Sequence, residues 1–209
     1  SIPFNTSHKN GKSDWLHERF DLNTGSELKE TLLICTTPRV GSHFLSAMLA
    51  SDEYFGKPFE YFLKSNLNNW QKELNLNTEE CFDFLIKRRT TKKGLFSVKS
   101  HWRDFNWMLR NNPKIIEILN IKYYIFLHRK DVLEQAISYE IAQQSGSFIS
   151  FTQKNKNKLI YNKVKIRNKI NLIKKHNQEW ENYFENTNVK HLFISYEDFL
   201  SSPKVVIQN

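Results

Sequence analysis

The stretch Thr36-Thr37-Pro38-Arg39-Val40-Gly41-Ser42-His43 holds residue types that bind an anion. It follows the apolar run Thr31 to Cys35 and precedes Phe44, Leu45, Met48 and Leu49, which recur at helical spacing. It therefore reads as a tight turn from a buried strand into a helix. Gly41 permits close backbone approach, and the first N–H groups of the helix have no partner within it. Such a helix start attracts negative charge. Ser42 and His43 add side-chain donors, and Arg39 offers a planar fork that suits phosphate or sulfonate oxygens. An ordinary βα turn with Arg39 on the surface fits the same pattern. The lysine and hydroxyl of G-x-x-x-x-G-K-S/T are absent, which weighs against a nucleoside-triphosphate loop and a kinase.

A second group follows Leu127-His128-Arg129-Lys130-Asp131, where another strand gives way to a helix that carries Ser138. Asp131 and Ser138 are two helical turns apart and share a face. Arg129, at the strand end, can reach that side, so Arg129 and Ser138 could hold a second phosphate. The alternative is a Ser138 packed on its helix and an Arg129 paired with Asp131 or Glu134. Lys99 closes a further strand and points toward the same edge, with His101 two residues on.

The elements that must position these groups alternate along the chain. Strands are expected at Thr31 to Cys35, Gly94 to Lys99, Ile121 to Leu127 and Val189 to Ser195. Helices are expected from Ser42, from a Thr78 cap, around Trp107, from Lys114, from an Asp131 cap to about Gln144, and across Ile166 to Phe184. Gly146 should stop the Asp131 helix, 145–158 should form a loop, and Pro203 should open one more helix. The alternation predicts an α/β fold of three layers, P-loop-NTPase-like, with a mostly parallel central sheet flanked by helices. Ligands of such sheets lie at the carboxyl ends of the strands, where all the candidate residues fall. Residues 1–30 have no clear period and read as an irregular arm, leaving 31–209 as a single domain.

Taken in order, Thr37-Pro38-Arg39-Val40-Gly41-Ser42, Lys57-Pro58-Phe59-Glu60-Tyr61-Phe62 and His128-Arg129-x-Asp131 through Gln135-Ala136-Ile137-Ser138 resemble the bacterial trehalose 2-sulfotransferase type of sulfotransferase. Trp180-x-x-Tyr183-Phe184 and Ser195-Tyr196-Glu197-Asp198-Phe199 extend the resemblance, which spans about residues 31 to 205. It implies 3′-phosphoadenosine 5′-phosphosulfate as donor substrate, no metal, and a carbohydrate or glycolipid hydroxyl as acceptor. It places the 5′-phosphosulfate on Arg39 to His43 and the 3′-phosphate on Arg129 with Ser138. Glu60 matches the family's proposed general base, and its aromatic neighbours are expected to raise its pKa. Lys99-x-His101 also resembles the cytosolic, eukaryotic-type sulfotransferases, in which that histidine is the base. Glu60 and His101 thus compete for the role, with Glu60 ranked first, while Lys99 would stabilise the moving sulfuryl group and Arg39 the leaving phosphate. Tyr61, Phe62 and Trp102 could stack on sugar faces or serve as core.

This sequence departs from the family at Val40, where a small hydroxyl residue is usual, and at His43, where Ser or Thr is usual. The family's C-terminal basic segment, which closes over the donor, is expected to be missing beyond Asn209. A non-catalytic nucleotide-binding or interaction protein is therefore the alternative function. Members of the family can dimerise, so a homodimer is compatible with the resemblance.

Composition agrees with an anionic ligand. The 209 residues carry 31 Lys and Arg against 22 Asp and Glu, a net charge of +9, which favours phosphate or sulfate partners. The basic run from Lys154 to Lys175 falls mainly on the polar side of an amphipathic helix, so nucleic acid is not expected as a partner. Cys35 and Cys81 are far apart, with no companion at metal-ligand spacing, and suit a reducing cytoplasm. No apolar stretch approaches the roughly 18 residues of a transmembrane helix, and no signal peptide is visible.

Overall fold

The computed structural model describes residues 14–146 and 159–202. Four parallel strands, β1 (Glu30–Thr36), β2 (Leu95–His101), β3 (Ile121–His128) and β4 (Leu192–Ser195), form one sheet in the order β2-β1-β3-β4. β1 lies inside the sheet and is buried from Thr31 to Thr36, which is why it reads as an unbroken apolar run.

Successive strand side chains point to opposite faces, and the sheet accordingly separates two cores. On one face Leu33, Cys35, Phe96, Val98, Tyr124 and Phe126 meet Leu67 and Trp70 of α2 (Lys64–Leu74) and four further helices. These are α3 (Thr78–Arg89), α4 (Trp102–Asn111), α5 (Pro113–Leu119) and α7 (Lys163–Thr187). On the other face Ile34, Leu127 and Ile194 meet Leu45 and Leu49 of α1 (Ser42–Ala50) and Phe199 of α8 (Tyr196–Ser201). The result is the expected three-layer arrangement. α6 (Val132–Ser145) packs on α7 through Ala136, Ile166 and Ile173 and through a buried Lys169–Glu140 ion pair.

Several boundaries fall where capping chemistry puts them. The Asp131 side chain accepts the Glu134 N–H at 2.8 Å and Gly146 closes α6 in the left-handed region, both as expected. The cap of α3 is Asn77 rather than Thr78: its side chain and that of Glu80 complete a reciprocal capping box. β4 starts at Leu192, three residues later than expected. α2 (Lys64–Leu74) was not anticipated, because of its eleven mostly polar residues only Asn66, Leu67 and Trp70 are buried. Most of the 145–158 loop and the helix expected at Pro203 lie outside the described residues.

The described part of the arm belongs to the core. Two short 3-10 turns, Asp14–Leu16 and Glu18–Phe20, bring Trp15 against the first core. Asp21 then receives Arg88 Nη1 at 2.7 Å and Arg89 Nε at 2.8 Å. The buried Arg89 also donates through Nη1 to the Trp15 carbonyl and to the Tyr61 hydroxyl, at 2.9 and 3.1 Å.

Candidate active site

β1, β2 and β3 deliver Thr36, His101 and His128 to one edge of the sheet. The loop leaving β1 bends through two left-handed residues, Arg39 at φ +63° and Gly41 at φ +84°. A Cβ on Gly41 would lie 2.2 Å from the Tyr196 ring, so the close approach and the φ angle both require glycine. Two distant side chains hold the loop through three hydrogen bonds. Gln135 Nε2 donates to Thr37 Oγ1 and the Pro38 carbonyl, at 2.9 and 2.7 Å. Trp180 Nε1 donates to the Thr36 carbonyl at 3.0 Å. Val40 is fully buried with Leu45 and Leu49 in the second core, so the position that departs from the family pattern serves packing.

Arg39 and Arg129 meet beside this loop. Arg39 Nε donates to Ser138 Oγ at 3.0 Å. Arg129 Nη2 contacts Glu134 Oε2 at 2.6 Å, and its guanidinium lies 4.9 Å from the centre of the Tyr196 ring. Burial, and then the Arg129 charge, push the Arg39 pKa down. Among the described residues, Arg129 Nε is buried with no hydrogen-bond partner. Two neighbouring guanidinium groups and an orphaned N–H fit an anionic ligand such as a phosphate. Ser138, expected beside Arg129, is thus bonded to Arg39, and the two anticipated anion sites adjoin in one patch. The Glu197 carboxylate accepts the backbone N–H of Lys130, at 3.0 and 3.1 Å, and that of Asp131 at 3.2 Å. It pins the turn that carries Arg129.

A second cluster lies at the end of β2. The segment 57–62 runs beside that strand: Phe59 bridges Val98, and the Lys99 N–H donates to the Phe59 carbonyl at 3.0 Å. This extension brings Glu60 to Lys99 and His101, which share a face of β2 by the two-residue period. Glu60 Oε2 lies 3.8 Å from Lys99 Nζ, and Oε1 lies 3.2 Å from His101 Nε2. His43, in the first turn of α1, brings Nδ1 to 3.4 Å from Lys99 Nζ.

Electrostatics correct the expectation for Glu60. Burial alone would raise its pKa, but Lys99, with His101 and His43, outweighs burial and holds it at about 2. Burial lowers His101 to about 4, partly offset by Glu60. The Lys99 charge, and then burial, lower His43 to about 3. At neutral pH the set is a carboxylate with two neutral imidazoles. With Glu60 ionised, His101 Nε2–H donates to it. His101 Nδ1 is then left as acceptor for the Thr36 hydroxyl, 2.8 Å away. Neutral His43 likewise accepts from Lys99.

Tyr61 and Phe62 are fully buried, which assigns them to the core instead of a sugar-stacking surface. Trp102 packs edge-on against Trp180, ring centres 5.0 Å apart. Asp104, in the first turn of α4, has its pKa raised to about 6, chiefly by burial, with Arg103 opposing and Glu60 adding. Gln135, Trp180, Tyr196 and Glu197 occur in the recognised motifs, although their roles in holding the loops were not legible there. Trp15 and Asp104 had no sequence signal.

A family model described as Stf0 sulphotransferase matches residues 31–209. No curated protein matches the chain. A solved structure of the sulfotransferase domain from the Synechococcus PCC 7002 olefin synthase aligns at 15% identity with a TM-score of 0.41. The alignment covers 88% of this chain and 72% of that one. Among the described residues, no helix is long and apolar enough to cross a membrane.

Proposed function

Because this chain belongs to the Stf0 sulphotransferase family, we propose that it transfers a sulfuryl group from 3′-phosphoadenosine 5′-phosphosulfate to a carbohydrate or glycolipid hydroxyl in the cytoplasm. The observation that carries this reading is the joined Arg39, Ser138 and Arg129 patch, with its buried unpartnered Nε, beside a buried Glu60–Lys99–His101 cluster.

When bound, the donor supplies the sulfuryl group and a leaving phosphate. Arg129 serves the 3′-phosphate, and Arg39 with the backbone N–H groups of the 37–43 loop serves the phosphosulfate end. As the acceptor oxygen bonds to sulfur, the bridging S–O bond breaks and its electron pair leaves with the phosphate, which Arg39 neutralises. The acceptor hydroxyl becomes more acidic as that bond forms, so the low-pKa Glu60 carboxylate suffices to take its proton. Neutral His101 donates to Glu60 and orients it. Lys99, whose pKa burial lowers against the opposing pull of Glu60, supplies positive charge for the equatorial sulfuryl oxygens, in the manner of groups that stabilise phosphoryl transfer.

Calorimetric titration with 3′-phosphoadenosine 5′-phosphate, with 5′-AMP as control, tests the donor site. Preference for the bisphosphate that is lost in Arg129→Ala supports it, and equal binding of both nucleotides would sink it. Transfer to sugar hydroxyls should then be abolished in Glu60→Ala and reduced in His101→Ala. Tight donor binding without transfer to any hydroxyl acceptor would favour the non-catalytic alternative.

A further inference from the structure

We propose that Trp15, which precedes the residues matched by the family, is a positioning residue for Lys99 and makes the N-terminal arm a wall of the active site. The inference rests on the sulfotransferase reading, which gives Lys99 its role.

Lys99 is held loosely by its polar neighbours. Its ammonium is 3.8 Å from Glu60 Oε2 and 3.4 Å from His43 Nδ1, both longer than the 2.7–2.9 Å or so of a tight charge-assisted hydrogen bond. A further contact among the described residues is aromatic: Lys99 Nζ lies 5.8 Å from the centre of the Trp15 ring, within the roughly 6 Å reach of a cation–π attraction. The same indole stacks on Phe59, with ring centres 5.7 Å apart and an interplanar angle of 9°. It also lies 6.2 Å from the His43 ring. Phe59 immediately precedes Glu60, and its carbonyl receives the Lys99 N–H. One side chain therefore packs on the residue that sets the Glu60–Lys99 spacing and on the ammonium itself.

Trp15 is only 5% exposed and is fastened in place. Arg89, itself 1% exposed, donates to the Trp15 carbonyl while its Nε pairs with Asp21. An indole so held keeps water from one side of Lys99, which strengthens the charge interactions inside the cluster.

The test uses Trp15→Phe, which keeps a π face, and Trp15→Leu, which keeps apolar bulk alone, with thermal unfolding showing that each variant is folded. Trp15→Leu should lower kcat about tenfold, and Trp15→Phe about threefold or less. Affinity for 3′-phosphoadenosine 5′-phosphate, set on the Arg129 side, should stay within about threefold in both. A Lys99→Met background should make Trp15→Leu cost less than twofold more, since residues that act together are not additive. Equal losses in the two Trp15 variants, or the full tenfold loss in the Lys99→Met background, would overturn the proposal.

A readout free of catalysis is the proton NMR of the Lys99 ε-methylene. It should be shifted upfield by the indole ring current, be identified by its loss in Lys99→Arg, and return toward the ordinary position in Trp15→Leu. An unshifted resonance in the wild type would refute the contact whatever the activity. A wild type that neither binds the bisphosphate nor transfers sulfate would instead sink the functional reading, with the ring-current result still deciding the Trp15–Lys99 contact.

Discussion

Neutralising Glu60 alone should destabilise the protein more than neutralising Glu60 and Lys99 together. The two side chains are 11% and 1% exposed and their charges lie 3.8 Å apart. Glu60→Gln leaves the Lys99 ammonium buried without its counter-charge, and breaking a buried pair in this way costs about 3–5 kcal/mol. The lysine can escape by losing its proton, and deprotonating an ordinary lysine at pH 7 costs about 5 kcal/mol, which caps the penalty. At about 2–4 °C per kcal/mol for a chain of this size, the melting temperature should fall by roughly 6–20 °C. The double variant Glu60→Gln/Lys99→Met carries no buried charge at these positions and should recover at least half of that loss. Urea unfolding at pH 7 and pH 9.5 provides the assay. In Glu60→Gln the folded state binds fewer protons than the unfolded chain until the pH nears the ordinary lysine value, so its deficit should shrink at pH 9.5. Additive single-variant losses, or a deficit independent of pH, would refute the reasoning.

Three further outcomes follow from the geometry. Glu134 occupies Arg129 at 2.6 Å but is 65% exposed, so the pair is worth the 0.2–1 kcal/mol or so of a surface contact. Glu134→Gln should tighten 3′-phosphoadenosine 5′-phosphate binding by up to about fivefold in calorimetry, and weaker binding would show that Glu134 positions Arg129 instead of competing for it. The unfolded chain protonates its histidines near their ordinary value of 6.5, whereas folded His101 and His43 wait until about 4 and 3. The stability tied to them is complete above pH 6.5 and is lost as pH falls toward 4. Glu60, lowered from 4.5 to about 2, adds a second loss below pH 4.5. Circular dichroism should record this acid limb, and His101→Gln should flatten its upper part; an unchanged limb would show that His101 does not contribute. Gly41→Ala should weaken bisphosphate binding at least tenfold, and Tyr196→Ala should restore it only in part, because the +84° φ remains strained. Full restoration would mean that the ring contact alone demands glycine.

Sequence alone determined the layered α/β architecture. Buried parallel strands leave continuous apolar runs such as Thr31 to Cys35, and helix ends leave Asp131 and Gly146 as local chemical marks. It also determined that an arginine-bearing loop and Arg129 end two of those strands, because element order and strand direction place both at one edge. Tertiary structure decided the partnerships. Arg39 and Ser138, 99 positions apart, meet because α6 lies across the β1 loop, which no local period encodes. The charge state of Glu60 depended on three cationic or imidazole groups brought from β2 and α1, against which its aromatic neighbours Tyr61 and Phe62, turned into the core, could not compete. Trp15 was the least legible of all. A residue in a stretch without period carries no local signal, and only its burial between Phe59 and Lys99 makes the arm part of the site.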